Sequence, residues 1–286
     1  MLSDVFLSQT ELKRYNRQLI LPMFGLEGQQ KLKAARVLVV GSGGLGSPLL
    51  LYLTAAGVGL IGIADFDHID ESNLQRQVLF NTTSVGQPKV HAAQKRLKKL
   101  NPHVQFELHN TVVNAQNATE IIDRYDLVAD GTDNFPTRYL LNDTCILLGK
   151  PLVYASIFQF EGQVSVFNFT NSQGETGPNY RDLFPSPPPP NHVPNCAEGG
   201  VLGALPGIIG SIQANEIIKI ITGIGTPLSG KLFVFNSLTT QTQTFEISKN
   251  NNNPLNSSNT ATIQTHEYGS ICQTHTTRHP LNEMDV

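Results

Sequence analysis

The sequence predicts an α/β fold in which a parallel sheet is continued by antiparallel strands, with helices ahead of the sheet and a disordered tail behind it. Three observations predict it. Short apolar runs alternate with helical patterns through the first half, the order of strand-helix-strand units with parallel pairing. Val37 to Val40 enters a glycine cluster, and a small-residue helical pattern then leads to a second apolar run ending at Asp65. Past residue 150, PLVYAS is followed by EGQVSVFNF without room for a crossover helix, so the second strand is expected to be antiparallel.

Composition bounds the rest. With 286 residues and 40 % hydrophobic content the chain can bury a sizeable core. A net charge of −3 argues against a general nucleic-acid binder, which needs a basic face. Three scattered cysteines without a C-x-x-C pair fit a reducing compartment. The N-terminus lacks a basic segment followed by an apolar core, and no apolar run approaches the roughly 18 residues of a membrane span. These features are read as a soluble cytoplasmic protein with no membrane partner.

In order, Ser8 or Thr10 caps an expected helix over Glu11 to Ile20, and a second covers Glu27 to Ala35. Within the first, Arg14 and Arg17 read on spacing alone as a solvated face. The strand from Val37 meets Gly41, Gly43 and Gly46 in G-x-G-x-x-G spacing, which permits a sharp turn, close approach to a phosphate and tight helix packing. With Gly44, these residues and the positive end of the following helix suit an anion. This is a Rossmann-like arrangement for an adenine nucleotide, with Asp65 placed to meet a ribose and Asp67 just beyond. Asn73, Arg76 and Gln77 crowd the next loop, and Arg76 is a phosphate candidate. Lys89 opens a helix near Pro88; a cation there opposes the macrodipole and should face an anion.

Gln105 to Asn110 is an expected strand, Ala118 to Tyr125 a helix, and Leu127 to Ala129 a strand running into Asp130, Asp133 and Asn134. An acidic pair at a strand's carboxyl end fits either a metal-nucleotide or simple capping. A helix over Thr137 to Leu148 precedes the antiparallel strands. Residues 171–200 are irregular and proline-rich, with Cys196 near the end. Gly207 to Thr222 is an apolar helix, and GKLFVFNS and QTQTFEISK close the sheet. This gives one domain over 1–249 and an asparagine- and threonine-rich tail over 250–286. The tail's His266, Cys272, His275 and His279 have no element to fix them as ligands.

The glycine loop and Asp65 alone would serve an NAD enzyme equally. Hydride transfer, however, needs neither cations over the phosphates nor a metal-holding aspartate, whereas nucleotidyl transfer needs both. Arg17, Arg76, Lys89 and Asp133 supply such a set.

Together the segments RYNRQ, VVGSGGLGSP, DFD, SNLQRQ, VGQPKV, DGTDN, EGQVSVF and NCAEGGVLGALPGIIGSIQANEIIKI resemble the ThiF/MoeB/HesA family over about residues 11–249, with the MoeB-type pattern nearest. The resemblance implies ATP-dependent adenylation of the C-terminal Gly-Gly carboxylate of a ubiquitin-like sulfur-carrier protein, for molybdopterin-type or thiamine-type sulfur transfer. It implies that Gly41, Gly43, Gly44 and Gly46 cradle the nucleotide and Asp65 holds the ribose. By the same resemblance, Asn73, Arg76 and Lys89 would bind phosphates and Asp133 would organise Mg2+. Arg17 aligns with a family arginine that reaches into the partner's site, which implies a homodimer. Cys196 aligns with a cysteine that some relatives use for sulfur transfer from a donor, and reactive and structural readings stay open. Residues 171–200 correspond to the crossover loop. Many relatives hold a structural zinc with two C-x-x-C pairs; here those places read Asn179-Tyr180-Arg181-Asp182 and NNNPLNSSN, so no zinc is expected. A non-catalytic carrier-binding scaffold and a peptide or tRNA acceptor are the alternatives.

Overall fold

The computed structural model describes residues 5–188 and 200–256. Helices α1 (Gln9–Arg14), α2 (Asn16–Leu19) and α3 (Gly25–Ala34) lead into β1 (Arg36–Val40), α4 (Gly46–Ala56) and β2 (Leu60–Ala64). Then come α5 (Lys89–Leu100), β3 (Gln105–His109), α6 (Ala118–Asp123), β4 (Leu127–Asp130) and α7 (Phe135–Leu147). Strands β5 (Leu152–Phe158) and β6 (Glu161–Phe167), the short α8 (Tyr180–Leu183), the long α9 (Leu205–Thr222) and strands β7 (Lys231–Asn236) and β8 (Gln241–Glu246) complete the described elements.

The strands form one sheet in the order β3-β2-β1-β4-β5-β6-β7-β8. β1 pairs in parallel with β2 (Val37 beside Ile61) and with β4 (Val37 beside Leu127). From β5 onward each pairing is antiparallel, beginning with Leu152 beside Phe167. The chain therefore reverses its winding at β1, and β1 and β4 leave a crevice beyond their carboxyl ends, where open α/β sheets hold ligands. Residues of β1 alternate between the two faces. Val37 and Val39 join a core with α3, α4, α5 and α9, while Leu38 and Val40 join another with α6, α7 and α8.

Three departures from expectation have physical causes. The expected helix over Glu11 to Ile20 breaks at Tyr15. That ring is buried, its hydroxyl accepts from Asn101 Nδ2 at 2.8 Å, and its contact with Gly57 leaves no room for a Cβ there. Ser8 is the cap, through a capping box whose Glu11 is buried and paired with Lys33 at 2.8 Å. Helices α7 and α9 each begin two residues earlier than expected, with Pro136 and Pro206 in their first turns, where a missing N–H costs nothing. Finally, the irregular stretch contains α8, and Asn250 to Asn256, counted with the tail, pack against it. The rest of the expected tail lies outside the described residues.

Candidate functional site

The crevice is built on the turn after β1. The Gly41 N–H donates to Ala64 O at 2.8 Å, extending the ladder one step, and Gly41 then turns at φ 89°, a conformation open to glycine. A Cβ on Gly46 would lie 2.0 Å from Gly41 O, and one on Gly41 2.7 Å from Gly131 O. Gly41, Gly43 and Gly44 line the cleft. Gly46 does not; its part is to let α4 close on the turn.

Asp65 ends β2 and turns inward. Its Oδ2 accepts from the Ser42 N–H and hydroxyl, each at 2.8 Å, and Oδ1 accepts from the Asp67 N–H at 3.0 Å. A carboxylate offers about four acceptor positions, so roughly one remains for a ligand. Asp65 thus holds the glycine turn as well as facing the cleft. Asp67 accepts from the Lys89 ammonium at 2.8 Å, and the Lys89 side chain is 6 % exposed against 48 % for Asp67. The anion that Lys89 required at the start of α5 is therefore present in the protein itself.

Over the turn lies the loop after β2. Asn73 Oδ1 accepts from Gln77 Nε2 at 2.7 Å and from Arg76 Nη2 at 3.4 Å. Carbons or nitrogens of Arg76 and Gln77 come within 3.6 and 3.4 Å of where Cβ atoms on Gly44 and Gly43 would stand. The Arg76 and Gln77 side chains thus lie in ordinary contact range over the turn.

The opposite rim is the loop from β4 to α7. Asp133 is exposed there, and Asn134 caps α7 by accepting from the Thr137 N–H at 3.0 Å while also lining the cleft. Asp130 is different: it is fully buried, its Oδ1 accepts from the Thr132 N–H at 2.9 Å and hydroxyl at 2.6 Å, and Arg138 Nε lies 3.9 Å from its Oδ2. Burial pushes the Asp130 carboxyl above its ordinary range, opposed by Arg138 and by the Thr132 donors. Arg138 also donates to Thr132 O at 3.1 Å and lies over the rings of Phe135 and Tyr154. Of the two aspartates, Asp130 shapes the loop and Asp133 faces outward.

Asp65, Asp67, Asn73, Arg76, Gln77, Lys89, Asp133 and Asn134 thus line one cleft. Arg17 is exposed on α2 and does not line it. Cys196, and the histidines and cysteine of the tail, lie outside the described residues. Sequence reasoning missed Ser42, Arg138 and Gln213. Gln213 is fully buried on α9 and donates to Asp130 O at 2.8 Å and Val153 O at 2.9 Å, fastening β4 to β5 below the cleft. A polar residue inside the apolar face of α9 was the available signal. Arg76, Lys89 and Arg138, the exposed Asp67 and Asp133 and the glycine-rich turn line this cleft together, with Val112 and Val113 on its wall, a mix of charge and room that a polyphosphate could use.

Comparisons with known proteins identify the family. The sulfur carrier protein adenylyltransferase of Thermus thermophilus is 52 % identical over 248 residues, covering 87 % of this chain and 92 % of that protein. A probable adenylyltransferase/sulfurtransferase, MoeZ, of Mycobacterium tuberculosis is 51 % identical over 248 residues, and the adenylyltransferase and sulfurtransferase MOCS3 of Xenopus laevis 47 % over 264. The chain spans 63 % and 57 % of those two longer relatives. Among solved structures, Escherichia coli MccB superposes with a TM-score of 0.74 at 21 % identity (88 % of this chain, 74 % of that one). PaaA gives 0.71 at 24 % (87 % and 76 %). Both share the fold. The ThiF family model matches residues 15–257, nearly the whole described chain, and the chain belongs to the ThiF family as an adenylyltransferase.

Proposed function

We propose that the protein uses ATP to adenylate the C-terminal Gly-Gly carboxylate of a ubiquitin-like sulfur-carrier protein. One observation carries the reading: Arg76, Lys89, Asn73 and Asp133 face a common cleft across a glycine turn. The name of the Thermus relative points to the same class of acceptor.

A carrier carboxylate oxygen attacks the α-phosphorus of ATP in line; the P–O bond to the β-phosphate breaks, and acyl-AMP and pyrophosphate result. No side chain needs to act as nucleophile. What the chain supplies is position and charge. Arg76 and Lys89 face the charge that builds on the α-phosphate and the departing pyrophosphate, Asn73 orients Arg76 and Gln77, and Asp65 meets the ribose with its remaining acceptor position. Lys89 exchanges or shares Asp67 when phosphate arrives. Mg2+ is commonly held by one or two carboxylates plus substrate phosphates, and Asp133 is the exposed carboxylate that suits this. Bound there, Mg2+ neutralises phosphate charge.

Arg17 belongs to the same proposal as a group donated across a homodimer. It stands on α2 beside exposed Ile20, Leu21, Met23 and Leu26, an apolar strip of the kind that subunit contacts cover.

The deciding experiment is ATP–pyrophosphate exchange with a panel of carriers ending in Gly-Gly. Carrier-dependent exchange is expected. Its absence with every Gly-Gly carrier, while ATP still binds, would refute the acceptor class.

A further inference from the structure

The zinc implied by the family resemblance can be tested against the residues at its expected place, and they do not fit it. Asn179 and Asp182 open and close one N-x-x-D, and Asn253 and Asn256 one N-x-x-N. The fold brings these pairs together although they are more than seventy residues apart.

Their side chains make a closed ring. Asn179 Nδ2 donates to Asn256 Oδ1 at 2.9 Å, and Asn256 Nδ2 donates to Asp182 Oδ1 at 2.6 Å. Asn253 Nδ2 completes the circuit by donating both to Asp182 Oδ1 at 2.8 Å and to Asn179 Oδ1 at 3.0 Å. The backbone joins in: the Asn250 N–H donates to Asp182 Oδ1 at 2.9 Å and the Asn179 N–H to Asp182 Oδ2 at 2.8 Å. Asn179 is 4 % exposed and Asn253 5 %.

This chemistry excludes a metal in the same place. Structural zinc takes thiolates or imidazoles, with occasional carboxylates, at about 2.0–2.3 Å. Here a single carboxylate carries the only charge of the four, and its Oδ1 already receives three N–H donors. Two of those donors are the amides of Asn253 and Asn256, whose partly positive hydrogens point to the spot that a cation would need. A cation could enter only by turning them away.

We propose that Asn179, Asp182, Asn253 and Asn256 form a metal-free clasp that closes the loop between α8 and residues 250–256 and makes this corner of the fold independent of zinc. The clasp is anchored inward. Arg181 donates to both carboxylate oxygens of Asp143 on α7, at 2.9 and 2.7 Å, and the Tyr180 N–H donates to Asn142 Oδ1 at 2.8 Å. The Tyr180 ring packs edge-on against Tyr139 and Phe167. Residues 250–256 are thereby tied, through α8, to the helix that begins beside Asp133. The inference does not depend on the proposed acceptor.

Four measurements on the purified protein and its variants test it. Dialysis against EDTA is expected to leave the melting temperature unchanged, and metal analysis before dialysis to find far less than one zinc per chain. Stoichiometric zinc, or a melting temperature that falls on chelation, overturns the clasp. Asp182→Ala removes the central acceptor and is expected to speed amide hydrogen exchange at Asn250 and Asn253 roughly tenfold or more; unchanged exchange there overturns it. Should that variant not fold, Asn256→Ala at the exposed edge removes two ring bonds and is read the same way. Finally, replacing all four positions by cysteine is expected to give one tetrahedral Co2+ site with thiolate charge-transfer absorption. No uptake would show that the four side chains do not converge.

Discussion

Lys89 Nζ lies 2.8 Å from Asp67 Oδ2 at the mouth of the cleft, a buried ammonium held by a half-exposed carboxylate. The carboxylate offsets the charge of the buried lysine. Asp67→Asn is therefore expected to lower the melting temperature of the free protein, by the equivalent of about 1 kcal/mol given the partial exposure. The same change is expected to enlarge the upward shift caused by ATP, because the unneutralised ammonium gains more from phosphate. Lys89→Met is expected to cost roughly 10²–10³ in pyrophosphate exchange, as loss of a preorganised charge does elsewhere.

Asp130 and Asp133 should respond in opposite ways. Asp133 is exposed, so Asp133→Ala is expected to leave the melting temperature within a degree or so and to cut exchange roughly a hundredfold or more. Asp130→Ala leaves Arg138 buried beside a vanished carboxylate, and is expected to destabilise by about 3–5 kcal/mol. Thermal melts set beside exchange rates check both.

Mixing tests the donated arginine. On the proposed homodimer, the Arg17→Ala and Asp133→Ala proteins are each expected to be nearly inactive. If Arg17 acts across the interface, heterodimers formed by mixing regain activity at one of their two sites, to about a quarter of wild type when mixing is statistical and the two wild-type sites act independently. No recovery, with subunit exchange verified by mass, would place Arg17 within its own subunit or outside the site.

His109 gives a pH signature. Its Nε2 is 2.7 Å from the Tyr125 hydroxyl, which in turn donates to Glu107 at 2.8 Å. Burial, then the nearby Arg124, lower its pKa below the ordinary 6.5, with Glu107 opposing. Between that lowered value and 6.5 the unfolded chain binds more protons than the folded one, so this part of the stability rises with pH and is fully present above 6.5. It is lost as pH falls through the window. His109→Gln is expected to flatten the curve there, measured by urea melts from pH 5 to 7.5.

The sheet and the glycine cradle were legible because their signals are local: apolar runs, glycine spacing, and polar residues at strand ends. Which aspartate faces out was not. Asp130 and Asp133 differ by burial, and that is fixed by Arg138 on the following helix and by Gln213 more than eighty residues away. Asparagine-rich sequence after residue 249 reads as unstructured because such residues bury little apolar area. Asn250 to Asn256 are ordered nonetheless, since Asp182 and Asn179 supply partners that composition does not reveal. The break at Tyr15 has the same origin in distant Asn101 and Gly57.

Gly41 and Gly131 approach so closely that an added methyl on either would meet the other's backbone. The turn after β1 and the loop that carries Asp133 therefore meet backbone to backbone, with no side chain between them to give way. Whatever enters the cleft meets a turn and a loop whose spacing the backbone itself sets.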